Sequence, residues 1–143
     1  MFAIINKMGV YNKDIIDLIN LFEKVTRSSV RDCFYHNSIL VFVVNEGQAS
    51  KAIGKKGANI LKFSQLVKKR LKIVEYANEP SKFTKNFIAP IKAKEIKFDN
   101  NIIEIHINDS KDKGLLIGRD KKNLENFKKV MKTYFKVQNV KIV

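Results

Sequence analysis

Apolar residues recur at every second position in two stretches of this chain that lie 64 residues apart. A period of two is typical of a β-strand with one buried face. The matching positions are Ile39, Val41 and Val43 in the first stretch and Ile103, Ile105 and Ile107 in the second. A glycine turn follows each stretch, and residues 39–73 align with residues 103–137 without a gap. We therefore predict that the chain holds two copies of one small domain.

Apolar residues spaced by three or four positions follow each glycine turn, which predicts an amphipathic helix. The pairs are Ile60 with Leu124, Phe63 with Phe127, Val67 with Met131, and Leu71 with Phe135. We expect Phe63, Phe127 and Phe135 to lie in the core rather than to be exposed for stacking.

The same patterns predict the remaining elements. The first copy should contain a helix over residues 14–26 capped by Asn12, strands over 30–35 and 39–44, helices over 49–53 and 58–71, and a strand over 73–76. The second should contain a short helix with Phe83 and Phe87 on one side, strands over 92–98 and 102–107, helices over 111–116 and 122–135, and a strand over 137–142. A short edge strand is predicted over residues 1–5. The fold class is α+β, with domains at residues 1–76 and 77–143, each a three-stranded sheet with helices packed on one face.

Charge adds information that periodicity lacks. Twenty-eight Lys and Arg stand against fourteen Asp and Glu, which gives a net charge of +14. Residues 1–76 hold thirteen basic and six acidic side chains, and residues 77–143 hold fifteen and eight, so each half carries +7. Such a field attracts polyanions, and nucleic acid is the usual one. The alternative is a Lys-rich composition that only maintains solubility.

Other function classes find little support in the sequence. The single Cys33 excludes an intrachain disulfide and suits a reducing cytoplasm. No apolar run approaches membrane-spanning length, and the N-terminus lacks a signal-peptide pattern. His36 and His106 have no metal-ligand spacing around them, and no nucleophile, Walker or paired-carboxylate motif is present. We expect a binding protein without catalytic residues, metal, cofactor or membrane contact.

The first glycine turn, Ile53-Gly54-Lys55-Lys56-Gly57, has the composition of a phosphate-binding loop. Its two glycines permit positive φ and a close backbone approach. The next helix begins at this turn, so its free N–H groups and positive dipole end face the loop. A Gly-X-X-Gly pattern alone is weak, because helix hairpins often turn on glycines for structural reasons. Its place between a predicted hairpin and an amphipathic helix makes it specific.

This loop resembles that of KH domains, and the order helix, strand, strand, helix, loop, helix, strand is similar to the type II arrangement. The resemblance implies a loop that clamps a short single-stranded stretch of RNA while its bases lie across an apolar groove. Candidate RNA-binding residues of the first copy are Lys51, Ile53, Gly54, Lys55, Lys56, Gly57, Asn59 and Lys62. Val41, Val43, Ile53 and Ile60 are candidates for the groove wall, although core packing would require the same residues.

Other segments of the chain indicate a more specific family. Leu21-Phe22-Glu23, Val30-Arg31-Asp32-Cys33, Val74-Glu75-Tyr76 and Lys85-Asn86-Phe87-Ile88-Ala89-Pro90, together with the loop, resemble the archaeal NusA-like transcription factors. This similarity covers nearly the whole chain. It implies two tandem type II KH domains that bind nascent single-stranded RNA in transcription elongation, termination or antitermination. It also implies association with RNA polymerase or the elongation complex. We expect the protein to be a cytoplasmic monomer.

The second loop, Gly118-Arg119-Asp120-Lys121, departs from the pattern, with Lys where the closing glycine belongs. We expect a left-handed backbone at Lys121 to cost about 1 kcal/mol and its side chain to narrow the approach to the loop. Asp120 opposes a phosphate, but it is outnumbered by neighbouring cations. Candidates for a weaker, more electrostatic contact are Gly118, Arg119, Lys121 and Lys122. The alternative is a copy that serves only as a packing partner.

Two other functions remain open from the sequence. The same fold recognises ribosomal RNA, so an accessory role in ribosome assembly or RNA decay is the nearest alternative. A protein–protein adaptor on RNA polymerase is the other, and the intact loop from Gly54 to Gly57 argues against it.

Overall fold

The computed structural model describes residues 12–143. The chain divides between Tyr76 and Ala77 into two compact units, Met1–Tyr76 and Ala77–Val143. Each unit contains one three-stranded sheet with α-helices, which is the α+β class predicted from the sequence. The strand predicted over residues 1–5 lies outside the described residues.

The first unit opens with helix α1 (Lys13–Thr26), whose cap is the predicted one: Ile15 N–H donates to the Asn12 side chain at 2.9 Å. Strands β1 (Val30–His36) and β2 (Ile39–Val44) form an antiparallel hairpin. Helices α2 (Ala49–Ile53) and α3 (Ala58–Val67) lead to strand β3 (Leu71–Glu75). Because two helices lie between them, β2 and β3 pair in parallel, and the sheet order is β1-β2-β3.

Three phenylalanine rings from three elements meet at the centre of the first unit. Phe22 of α1 stacks on Phe42 of β2, with ring centroids 4.0 Å apart and planes 9° apart. Phe63 of α3 meets the two rings edge-on at centroid distances of 5.1 and 5.5 Å. Leu40 and Val44 share this cluster with Phe42, so the helices cover one face of the sheet.

The second unit repeats the order of the first. It contains helix α4 (Pro80–Ile88), strands β4 (Glu95–Asp99) and β5 (Ile102–His106), helices α5 (Ser110–Ile117) and α6 (Lys122–Tyr134), and strand β6 (Asn139–Ile142). Strands β4 and β5 are antiparallel, and β6 is parallel to β5. Phe83 and Phe87 lie on the predicted short helix, α4, and both are buried, with the Phe87 ring centroid 5.2 Å from that of Phe127 in α6.

The gapless alignment of the two copies is wrong in the strands. The hairpins close with the pairs His36–Ile39 and Asp99–Ile102, and two residues with positive φ form each turn. The strands of the two units therefore correspond with a shift of one residue. With this shift, the equivalents of Leu40, Phe42 and Val44 are Ile103, Ile105 and Ile107. One additional residue between β5 and the second loop restores the alignment there. Strand β2 is apolar at all six positions, so its periodicity could not fix which face is which.

The predicted helices are also too long at their C-terminal ends. Helix α3 ends at Val67 because Lys68 adopts the left-handed conformation, with φ 54° and ψ 45°. Leu71, predicted on the helical stripe, instead opens β3 and packs against the core from there. Phe135 follows the end of α6 in an extended conformation and is half-buried. An apolar residue at helical spacing equally suits the strand that follows a helix, which explains the error at Leu71.

Candidate nucleic-acid interface

The first glycine loop joins α2 to α3 through a 3-10 turn, Lys55–Gly57. Gly54 has φ 80° and ψ 170°, and Gly57 has φ 76° and ψ 15°, so both glycines adopt positive φ as predicted. Lys56 between them is left-handed as well, with φ 53° and ψ 29°, which the glycine pattern did not predict. The Gly57 N–H donates to the Gly54 carbonyl at 3.1 Å and closes the turn.

The N-terminus of α3 is open at this loop. The helix begins at Ala58, and no side chain caps its first turn. The Ala58 N–H donates to the Lys55 carbonyl, no side chain caps the N–H groups that follow it, and the positive end of the helix dipole lies at this loop. Lys55 and Lys56 are exposed beside them and have no ion-pair partner within residues 12–143. Donors, charge and access thus coincide, which is the requirement for binding an anion.

The second loop follows the same backbone path with a different sequence. Gly118 has φ 76° and ψ 173°, Asp120 has φ 55° and ψ 29°, and Lys121 has φ 62° and ψ 19°. The Lys121 N–H donates to the Gly118 carbonyl at 3.2 Å. Asp is among the residues that tolerate the left-handed region, whereas Lys121 carries the strain of about 1 kcal/mol that its position implies. Loss of the second glycine has not changed the shape of the loop.

One asparagine braces each loop. The Asn59 side-chain amide donates to the Lys51 carbonyl at 3.0 Å, and the Asn123 amide donates to the Leu115 carbonyl at 3.0 Å. A Cβ atom placed on Gly54 would lie only 2.8 Å from Cγ of Asn59, so this side chain packs directly against the glycine. Asn59 was predicted to contact RNA. Its amide nitrogen holds the two helices around the loop.

The other predicted residues surround the two loops. All six are exposed: Lys51, Ile53 and Lys62 in the first unit, and Arg119, Lys121 and Lys122 in the second. The structure thus brings cations together at both loops, and their contact with RNA stays a prediction.

Two candidates for the groove wall lie elsewhere. Val41 and Val43 are fully buried, and they alternate along β2 with the residues that face the helices. They therefore belong to the sheet face turned away from the loop. Ile53 is exposed and Ile60 is half-buried, so the apolar surface next to the loop comes from the helices.

The three side chains whose pKa values are shifted lie in the first sheet rather than at the loops. Burial, and secondarily the charge of Lys72, lowers the pKa of His36 to about 4. Burial also lowers the pKa of Lys72. Burial, and secondarily the Asp32 charge, raises the pKa of the Cys33 thiol to about 12, so this side chain is an unreactive member of the core at neutral pH.

Within residues 12–143, no group of three or more His, Cys, Asp and Glu side chains is arranged to hold a metal ion. None of the helices described in this part of the chain combines the length and apolarity needed to cross a membrane.

Two exposed aromatic side chains were not predicted as functional residues. Tyr35 lies near the end of β1 and Phe98 near the end of β4, and both rings face solvent. The one-residue error in strand alignment hid their equivalence, because the gapless comparison paired Tyr35 with Asp99. An alignment anchored on the two hairpin turns would have revealed it.

Two archaeal proteins are similar to this chain over most of its length. The probable transcription termination protein NusA of Methanococcus vannielii is 31% identical over 135 residues, which cover 92% of this chain and 78% of that protein. The probable transcription termination protein NusA of Methanocaldococcus jannaschii is 28% identical over 128 residues, which cover 87% of this chain and 70% of that protein.

The fold has a solved counterpart. The crystal structure of APE1850 matches with a TM-score of 0.69 and 27% sequence identity, over 93% of this chain and 100% of that chain. No protein-family model matches the chain. The predicted resemblance is nevertheless confirmed by the relatives, and their identity and coverage show that the chain belongs to the family of archaeal NusA-like transcription termination proteins.

Proposed function

We propose that this chain binds single-stranded RNA through two tandem type II KH domains and acts in transcription elongation, termination or antitermination. The observation that carries the proposal is the first glycine loop. Its two exposed lysines stand at a helix N-terminus that no side chain caps, and its second glycine leaves the backbone open, since a Cβ there would meet only Ile60 Cγ2 at 3.7 Å.

The topology supports the KH assignment. Each unit places a helix and an antiparallel hairpin before the loop and one parallel strand after it. This is the order that the resemblance to type II KH domains implies. The glycine loop between two helices is also where a KH domain clamps its backbone nucleotides.

Binding would begin with phosphate oxygens at the loop. The N–H groups that follow Ala58 in the first turn of α3 would donate to one phosphate, while Lys55 and Lys56 neutralise its neighbours. Neither lysine needs to leave an existing ion pair in the described structure, so no such bond opposes binding. Unpaired bases would then lie against the apolar flank that Ile53 and Ile60 provide. A duplex cannot present its bases in this way, which is why we assign single-stranded RNA.

The second loop would contribute a weaker contact. Its backbone has the geometry of the first, but Asp120 places a negative charge where Lys56 places a positive one. Arg119, Lys121 and Lys122 still leave the loop cationic. We therefore propose that one RNA strand is held tightly by the first unit and more loosely by the second.

The proposed role in transcription is supported by the names of the archaeal relatives. On this basis the ligand would be the nascent transcript, and RNA polymerase or the elongation complex would be the partner. We propose a cytoplasmic monomer that binds without catalysing a reaction.

A pair of charge reversals tests the loop. Replacing Lys55 and Lys56 with Asp should weaken binding to an unpaired oligoribonucleotide about a hundredfold, because two charge-assisted contacts of about 1.5 kcal/mol each are lost. Replacing Lys13 and Lys24 with Asp is the matched control, since both are exposed on α1 and the change in net charge is the same. Circular dichroism establishes that each variant is folded. Equal losses of affinity in both variants would mean that the loop contributes to binding only through the net charge.

Three further comparisons separate the alternatives. Equal affinity of the wild type for a hairpin stem and an unpaired oligomer would contradict the KH mechanism. Replacing Arg119 and Lys121 with Asp should cost less than the first-loop change, and an equal cost would make both loops full sites. Crosslinking in cells should recover nascent messenger transcripts. Recovery of ribosomal RNA precursors would favour the accessory role instead. RNA-independent co-purification with polymerase would favour the adaptor role.

A further inference from the structure

Tyr35 presents an aromatic ring to solvent in the first unit. It precedes the residue that closes the β1–β2 hairpin, and 53% of its surface is exposed. Two positions earlier on the same strand face, Cys33 is fully buried in the core. The helices thus cover this face of the sheet at Cys33 but do not extend over it as far as Tyr35.

The second unit repeats this exposed aromatic residue. Phe98 precedes the closing residue of the β4–β5 hairpin, and 40% of its surface is exposed. A single exposed aromatic side chain needs no explanation. The same placement in both copies, whose loops differ in sequence, is a second observation.

Three consecutive cations stand beside Tyr35 on a fixed turn. The turn after α3 carries Lys68, Lys69 and Arg70, all exposed. The Lys68 N–H donates to the Ser64 carbonyl at 2.8 Å, and the Ser64 hydroxyl donates to the Lys69 carbonyl at 2.7 Å. The turn is therefore held to its helix by two hydrogen bonds.

The same turn is also tied to the sheet, because the Arg70 carbonyl accepts from the Leu40 N–H at 2.9 Å. The Lys69 ammonium lies 5.5 Å from the centre of the Tyr35 ring, within cation–π range. None of the three cations has an ion-pair partner within residues 12–143.

We propose that Tyr35 and the cations Lys68, Lys69 and Arg70 form a second RNA subsite, which stacks one base on the tyrosine ring and holds the adjoining phosphates. This inference rests on the proposed RNA-binding function and extends it. The subsite lies at the C-terminal end of α3, whereas the glycine loop lies at its N-terminal end. Ten residues of helix separate the two by roughly 15 Å. A strand held at the loop would reach the subsite only if it extends beyond the nucleotides that the loop clamps.

The combination of groups favours RNA over an acidic peptide. The carboxylates of an acidic peptide would need only the cations, and an exposed ring would add no specific contact with them. Base stacking on an aromatic ring, with cations along the backbone, is the recurring chemistry of single-stranded nucleic-acid binding. In the second unit, the segment between α6 and β6 contains one cation, Lys136, where the segment between α3 and β3 contains three, and no cation lies over Phe98 among the described residues. That unit provides an exposed ring with fewer cations in the segment after its helix, and Phe98 serves as the comparison for Tyr35.

Oligomer length distinguishes this subsite from the loop. The probes are an unpaired oligoribonucleotide of about four nucleotides, the length that a KH loop clamps, and one about three times as long. Tyr35→Leu keeps apolar bulk on an exposed position and removes the ring. It should lower affinity for the long oligomer about tenfold and leave the short one unchanged. Lys69→Gln should act in the same direction, and Phe98→Leu should have less effect than Tyr35→Leu on the long oligomer.

A direct signal comes from tyrosine fluorescence, because the chain has four Tyr and no Trp. The long oligomer should quench part of this emission in the wild type, and Tyr35→Leu should remove that part. Unchanged affinity for the long oligomer in Tyr35→Leu, or an equal loss for both oligomers, would overturn the subsite. If the wild type binds neither oligomer, the proposed function itself fails. If only the Lys55 and Lys56 reversals weaken binding, the loop stands and the subsite does not.

Discussion

The two glycines of the first loop should differ sharply in their sensitivity to substitution. Gly54→Ala is expected to lower the free energy of unfolding by about 3 kcal/mol, and Gly57→Ala by about 1 kcal/mol. The pattern Gly-X-X-Gly treats the two positions alike. In the structure, however, the surroundings of the two glycines differ.

The magnitude at Gly54 has two sources. Its backbone, at φ 80° and ψ 170°, lies in a region that is essentially restricted to glycine and costs other residues about 1–3 kcal/mol. A Cβ there would also lie 2.8 Å from Cγ and 2.9 Å from the backbone nitrogen of Asn59. The Asn59 side chain cannot yield without losing its 3.0 Å hydrogen bond to Lys51, and the backbone nitrogen is part of α3. Overpacking of this kind adds about 1 kcal/mol or more.

At Gly57 only the conformation matters. With φ 76° and ψ 15° it is left-handed, which costs an alanine about 1 kcal/mol. A Cβ there would lie 3.7 Å from Ile60 Cγ2, an ordinary van der Waals contact. The second loop supports this reading, since it retains the first glycine as Gly118 and accepts Lys121 at the second position. Lys121→Gly should accordingly raise the free energy of unfolding by about 1 kcal/mol.

Urea unfolding of the full chain, followed by circular dichroism, measures these differences when the denaturant dependence is unchanged between variants. A cost at Gly57 equal to that at Gly54 would refute the assignment of the steric contact. Destabilisation by Lys121→Gly would refute the assignment of strain to Lys121.

Three further predictions concern pH, reactivity and salt. Because the pKa of His36 is about 4 in the folded state and 6.5 when unperturbed, the unfolded chain binds the extra proton between these values, and the urea midpoint should fall as pH drops through this window. His36→Asn should flatten that fall, and an unchanged slope would assign it to other groups. Cys33, with its pKa raised to about 12, should resist iodoacetamide at about pH 8 until urea unfolds the chain, and rapid labelling of the native protein would contradict its burial. RNA affinity should decrease steeply with salt, because several phosphates are neutralised, and a flat response would mean that the +14 charge is incidental.

Sequence periodicity was sufficient for the order of the elements within residues 12–143. The helical stripes placed Phe63 and Phe127 in the cores, whereas Phe135 is only half-buried, and Asn12 was identified as a cap from its residue type alone. These predictions held because amphipathic spacing and capping are local, and the chain satisfies them without information from distant residues. The positive φ of Gly54 and Gly57 is local in the same sense.

Contacts between elements decided the rest. Strand β2 is apolar on both sides, so only its pairing with β1 and its packing on Phe22 and Phe63 established which residues face the helices. That register also made Tyr35 and Phe98 equivalent. The different roles of Gly54 and Gly57 likewise depend on where Asn59 packs. A sequence pattern records which residue types are spaced along a chain, whereas the face that a strand buries and the space around a glycine are set by atoms from other elements.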